Sequence, residues 1–163
     1  MQPAIAERPE PIQALSRPEH LLVWTLRAVA LGHEDDPVVI RTFRQACGEH
    51  GPKTLDAYCA FVRCVGMAAD RRLTVHAPGC PCVSDDERAL VACIAAAQGS
   101  LTRLDEARLT RRLEDLMGRH PGEALIFLAQ AIGRFLFDAG LTLPAREDGE
   151  ADVRGLRPTV VLH

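Results

Sequence analysis

Thr54-Leu55-Asp56-Ala57-Tyr58-Cys59-Ala60-Phe61-Val62-Arg63-Cys64-Val65-Gly66-Met67-Ala68 carries two apolar stripes at helical spacing. Leu55, Tyr58, Cys59, Val62 and Val65 recur at i, i+3, i+4 and i+7 on one side; Ala57, Phe61, Cys64 and Ala68 recur on another. A helix that is apolar on two sides needs packing partners on both. This stretch therefore predicts a central helix in a multi-helix bundle.

The flanking sequence supplies the partners. Upstream, Ser16-Arg17-Pro18-Glu19 has the capping-box pattern and opens a helix that runs through Leu22, Trp24, Leu26 and Val29 to Gly32. Asp36-Pro37 opens a second, with Val39, Ile40, Phe43 and Cys47 as its stripe and Gly48 and Gly51-Pro52 as its end, so that Thr54 begins the third. Downstream, Arg71 to Val75 reads as briefly extended, and a proline-rich loop follows. Ser84-Asp85-Asp86-Glu87 then starts a fourth helix, with acidic residues in the first turn where the dipole favours them; Gly99-Ser100 breaks it. A fifth helix spans about Thr102 to Met117 on Leu104, Leu109, Leu113 and Leu116, and a sixth runs from Pro121 to Gly140 on Leu125, Leu128, Ile132, Phe135 and Leu136. Strand-like alternation is nearly missing.

The expected fold is all-α: a single-domain bundle of five or six helices over residues 16–143. Mobile ends are expected at 1–15, which is punctuated by prolines, and at 144–163, which is charged and glycine-interrupted. Within the second tail, β-branched Thr159 to Leu162 is the stretch able to pair or dock.

Composition sets bounds on function. Apolar residues at 47% and charged residues at 25% match a globular chain and exclude a disordered one. A net charge of -3 argues against nucleic acid as a partner. The fifth helix is rich in arginine, but Asp105, Glu106, Glu114 and Asp115 balance Arg103, Arg108, Arg111 and Arg112, giving a solvated, ion-paired face. The N-terminus has no apolar signal core, and the longest apolar run, Ala89 to Ala97, is too short to span a bilayer. A cytoplasmic protein without membrane attachment is expected. Its six cysteines are then thiols or metal ligands rather than a disulfide framework.

One cluster carries ligand chemistry. His76-Ala77-Pro78-Gly79-Cys80-Pro81-Cys82 places an imidazole and two thiols within seven residues. Imidazole and thiolate suit zinc first; an iron–sulfur centre is the second choice. Pro78 and Pro81 stiffen the loop, and Gly79 permits the bend that brings His76 beside the cysteines. Candidates for a fourth ligand are Asp85, Asp86, Cys64 or a distant histidine. Cys93 lies too far up the following helix, roughly 12 Å along its axis. The same loop also reads as a plain structural turn with two small buried thiols. Cys47, Cys59, Cys64 and Cys93 fall on apolar faces and behave as small hydrophobes. His33, His50 and His120 stand at helix C-termini, where they can satisfy terminal carbonyls.

Several enzyme classes lack their residues. There is no glycine-rich phosphate loop, no Gly-x-Ser-x-Gly, no Glu-x-x-His and no His-Glu-x-x-His. The expected function is a non-enzymatic protein-interaction or regulatory module with a small structural metal site in the loop 76–82. Its partner is an unidentified protein or a second copy of the chain. The alternatives are a metal- or redox-sensing regulator using His76, Cys80 and Cys82, and a cysteine-dependent enzyme.

Overall fold

The computed structural model describes residues 9–99, 103–145 and 160–161. The described residues form an all-α single domain. Its α-helices are α1 (Arg17–Ala30), α2 (Pro37–Cys47), α3 (Gly51–Ala68), α4 (Asp85–Gly99), α5 (Arg103–Met117) and α6 (Glu123–Asp138). Short 3-10 turns lie at Ile12–Ala14 and Gly48–His50. Ser100 of the expected break and the expected start at Thr102 lie outside the described residues.

The starts of α1, α2 and α4 follow from their caps. The Ser16 N–H donates to the Glu19 carboxylate at 2.7 Å, and Asp36 accepts from the Val38 N–H at 2.7 Å with Pro37 in the first turn. Two stops share one device. Gly32 (φ +73) and Gly140 (φ +76) adopt the left-handed conformation, and the next residue donates its N–H back into the helix, His33 to Ala28 O and Leu141 to Leu136 O, each at 2.8 Å. This is the Schellman arrangement.

α3 begins three residues earlier than its sequence suggests. Gly51-Pro52 does not end α2 but forms the first turn of α3, where proline's missing N–H costs nothing. Thr54 is an interior residue whose hydroxyl donates to His50 O at 2.7 Å. The histidines also differ from expectation. His33 caps α1 through its backbone N–H. The His50 ring stacks on Phe135 with centroids 6.2 Å apart, and His120 pairs with Glu114.

α3 packs against α1, α2 and α6, and α4 packs against α1, α5 and α6. The centre of the bundle is therefore shared: α6 lies between α3 and α4. Phe61, Val62 and Val65 of α3, Cys93 and Ile94 of α4, and Ala129, Ile132 and Leu136 of α6 are fully buried in one core with Leu22, Leu26 and Phe43. Tyr58 is buried too, and its hydroxyl donates to Leu22 O at 2.9 Å, joining α3 to α1. At the far end, Gln98 clasps the chain that leaves α6. Its amide donates to Leu141 O, and its carbonyl accepts from the Leu143 N–H, both at 2.7 Å.

The α4–α6 approach depends on one glycine. A Cβ at Gly133 would stand 2.7 Å from Gln98 N and 2.9 Å from Gln98 Cα, which are backbone atoms that no rotamer can move. Gly133→Ala should therefore push the helices apart and destabilise by about 1–3 kcal/mol in a urea titration. Gly99→Ala is the control. It meets nothing within 4 Å at the end of α4, and the structure assigns it no loss.

The ends of the described chain come back to the middle of the sequence. Glu10 to Ile12, part of a stretch expected from its prolines to be mobile, lie against the loop after β1 (Thr74–Val75). The Ile12 N–H donates to Pro81 O at 2.8 Å, the Val83 N–H donates to Glu10 O at 2.9 Å, and Pro11 bridges Cys82. These bonds are backbone to backbone, so residue types give little sign of them. At the other end β2 (Val160–Val161) pairs antiparallel with β1, Thr74 opposite Val161 and Val75 opposite Val160. Among the described residues no helix is long and apolar enough to cross a membrane.

Candidate metal centre

The loop between β1 and α4 is built on a tight turn. Ala77-Pro78-Gly79-Cys80 has proline second and glycine third, with Gly79 at φ +82, and the Cys80 N–H donates to Ala77 O at 3.1 Å. Residue order and geometry fit a type II turn, in which the third position needs the left-handed conformation that glycine adopts freely. The turn folds Cys80 back toward His76.

The loop then wraps around a buried ion pair. Arg27 of α1 is 2% exposed and Glu87 of α4 is 0% exposed. The guanidinium grips the carboxylate with two bonds, Nε to Oε1 at 2.7 Å and a terminal nitrogen to Oε2 at 3.0 Å. Its remaining donors reach the carbonyls of Cys80 at 2.9 Å and Cys82 at 2.7 Å. Glu87 in turn accepts from the backbone N–H of His76 at 3.0 Å and of Ser84 at 2.8 Å. Ser84 completes its capping box by accepting the Glu87 N–H at 3.0 Å. The buried charges are thus paired, and their spare donors and acceptors are spent on the loop backbone.

This scaffold brings all three expected ligands together. The ligand atoms of His76, Cys80 and Cys82 lie within 4.8 Å of one another, and each residue is half-buried. The sulfurs of Cys80 and Cys82 are 3.2 Å apart, and the Cys82 sulfur is 3.9 Å from His76 Nε2. With zinc–sulfur bonds of about 2.3 Å and zinc–nitrogen bonds of about 2.0 Å, tetrahedral angles put two sulfurs roughly 3.8 Å apart and sulfur and nitrogen roughly 3.6 Å apart. The two separations are within an ångström of those values, a gap that small χ rotations close. A His/Cys/Cys group able to hold a metal ion is therefore present.

The expected fourth ligands are engaged elsewhere. Asp86 binds the Arg71 guanidinium and accepts the Thr74 N–H at 2.6 Å, which ties β1 to α4. Asp85 pairs with Arg88 at 2.5 Å. Cys64 does not join the group, and among the described residues neither does any other histidine, cysteine or carboxylate. From the described residues a metal here would take three protein ligands, and none of them fills a fourth position.

The cysteines separate by chemistry. The Cys82 N–H and the Cys82 thiol both bond the Cys80 sulfur and hold the Cys80 thiol below its ordinary pKa; burial opposes them, and the Arg27 charge adds a smaller lowering that Glu87 counters. Burial pushes the other way elsewhere. It raises Cys47, lifts Cys59 to about 11 with help from Asp56 and Asp35, and lifts Cys93 to about 12. Those three are buried core thiols, as their apolar faces imply, and Cys64 is half-buried.

Residue spacing did not expose Arg27, and it showed Glu87 only as a cap. One signal was available: Arg27 is the sole charge in the apolar run Leu21 to Leu31. A lone charge on such a helix must find a buried partner. Comparison with protein-family models, curated proteins and solved structures finds no match to this chain.

Proposed function

We propose that the chain is a non-enzymatic regulatory module that binds one zinc ion through His76, Cys80 and Cys82 and acts through protein contacts. The supporting observation is the convergence of these three ligand atoms within 4.8 Å on a loop whose backbone is already held by Arg27 and Glu87. Ligands held in this way lose little freedom on binding. One nitrogen and two sulfurs suit zinc, whereas an iron–sulfur cluster ordinarily takes four cysteines. The segment at Glu10 to Ile12 is hydrogen-bonded to this same loop at Pro81 and Val83, so metal state would bear on how the N-terminal segment docks. The protein-contact part of the reading draws on three exposed apolar side chains, Met67 (73%), Phe127 (70%) and Phe137 (57%). The partner is a protein surface or a second copy of the chain.

Elemental analysis of protein purified without chelator tests the metal. The wild type should carry about one zinc per chain, with no visible absorbance, and melt higher than the metal-stripped form, because metal that binds the folded state stabilises it. Cys80→Ser and Cys82→Ser should each lose the metal and that increment. A wild type free of metal after anaerobic purification, with both variants as stable as it, would reduce the loop to a structural turn.

A further inference from the structure

We infer that Cys80 and Cys82 are a peroxide-oxidisable dithiol, closing a reversible disulfide across Pro81 that expels the metal. This deepens the metal reading. Only the expulsion step rests on that reading; the oxidation of the two thiols stands on their own geometry.

Three observations carry it. The sulfurs are already 3.2 Å apart, and a disulfide bond needs about 2.05 Å, so closure asks for little more than an ångström. The backbone that bears them cannot drift away: the carbonyls of residues 80, 81 and 82 are held respectively by Arg27, by the Ile12 N–H and again by Arg27. The two thiols are half-exposed and unbridged, on a turn whose neighbours Ala77, Pro78, Gly79 and Pro81 are exposed, whereas Cys47, Cys59 and Cys93 are buried. A small oxidant reaches Cys80 and Cys82 without any unfolding.

The chemistry balances with hydrogen peroxide as the oxidant. The Cys80 thiolate attacks one peroxide oxygen; an S–O bond forms, the O–O bond breaks, and hydroxide leaves and takes a proton as water. Cys80 is then a sulfenic acid. The Cys82 thiolate attacks the Cys80 sulfur; the S–S bond forms, the S–O bond breaks, and a second hydroxide leaves as water. Two thiols lose two electrons and two protons, and one peroxide becomes two waters. A zinc ion that had three protein ligands keeps only His76, which does not hold it. The ring closes through a single residue, and small exposed disulfides of this kind are readily reduced, so a dithiol resets the site.

The test uses hydrogen peroxide on zinc-loaded and on metal-stripped full-length protein. Both forms should lose two of the six free thiols, and the peptide carrying Cys80 and Cys82 should lose the mass of two hydrogens. The loaded form should release its zinc to a chromogenic chelator in step with thiol loss. Dithiothreitol should restore the thiols and zinc uptake. In Cys82→Ser the resolving thiol is gone, so a dimedone adduct should accumulate on Cys80. The inference is overturned if peroxide leaves both thiols free, if the disulfide joins two chains, or if oxidation falls first on Cys64. Thiol loss at these two residues in protein that never binds zinc would sink the metal reading and uphold the dithiol. Zinc binding with no disulfide would do the reverse.

Discussion

Glu87→Ala should cost about 3–5 kcal/mol, because it strands the Arg27 charge in the interior. The loss is a large fraction of the stability of a domain this size, so reduced recovery of folded protein is itself an expected result. Glu87→Gln keeps the volume and part of the hydrogen bonding, and should allow a urea titration with a smaller loss. The informative variant removes both charges. Replacing a buried ion pair by apolar residues is often neutral elsewhere. Here Arg27→Met with Glu87→Leu should remain clearly destabilising, because the pair also serves the carbonyls of Cys80 and Cys82 and the N–H groups of His76 and Ser84. A buried backbone group left without a partner costs about 1–3 kcal/mol. A double variant as stable as the wild type would mean that water serves those groups instead.

Phe61→Ala should cost about 3–5 kcal/mol by opening a cavity between α3 and its neighbours. The ring is fully buried, and so are Tyr58, Val62 and Val65 on the same helix. Both stripes of α3 are thus in use, one more deeply than the other. A loss below about 1 kcal/mol would require the neighbouring helices to collapse into the space. Met67→Ala on the same helix, 73% exposed, should be nearly neutral.

The helices were readable because their signals are local. A cap, an apolar stripe and a stopping glycine lie within a few residues of one another, as in Asp36-Pro37 and at Gly32 and Gly140. The candidate metal ligands were readable for the same reason: proline and glycine in Ala77-Pro78-Gly79-Cys80 specify the turn that gathers them. Misreadings arose where one local signal has two uses. Gly51-Pro52 stops a helix or starts one, and here the packing of Gly51 against Phe43 and Arg44 makes it a start. What stayed hidden was non-local. Arg27 and Glu87 are separated by 60 residues, and nothing within either helix names the other. The docking of Glu10 to Ile12 runs largely through main-chain atoms, which every residue has, with the Glu10 carboxylate 3.8 Å from Arg88 and Ile12 packed on the core.

That separation also has a bearing on time. Contacts between distant parts of a chain must offset the entropy of closing a long loop, and they tend to form after local ones. Helix pairs adjacent in the chain, such as α2 with α3 and α4 with α5, can dock early. The contact of Arg27 with Glu87, and that of Ile12 with Pro81, close much longer loops and belong on the native side of the rate-limiting step. Weakening the buried ion pair should then accelerate unfolding while leaving refolding nearly as fast as before. In stopped-flow experiments Glu87→Gln should raise the unfolding limb of the chevron and hardly move the folding limb. On this account the grip that shapes the ligand loop acts as a brake on unfolding, setting how long each molecule stays folded.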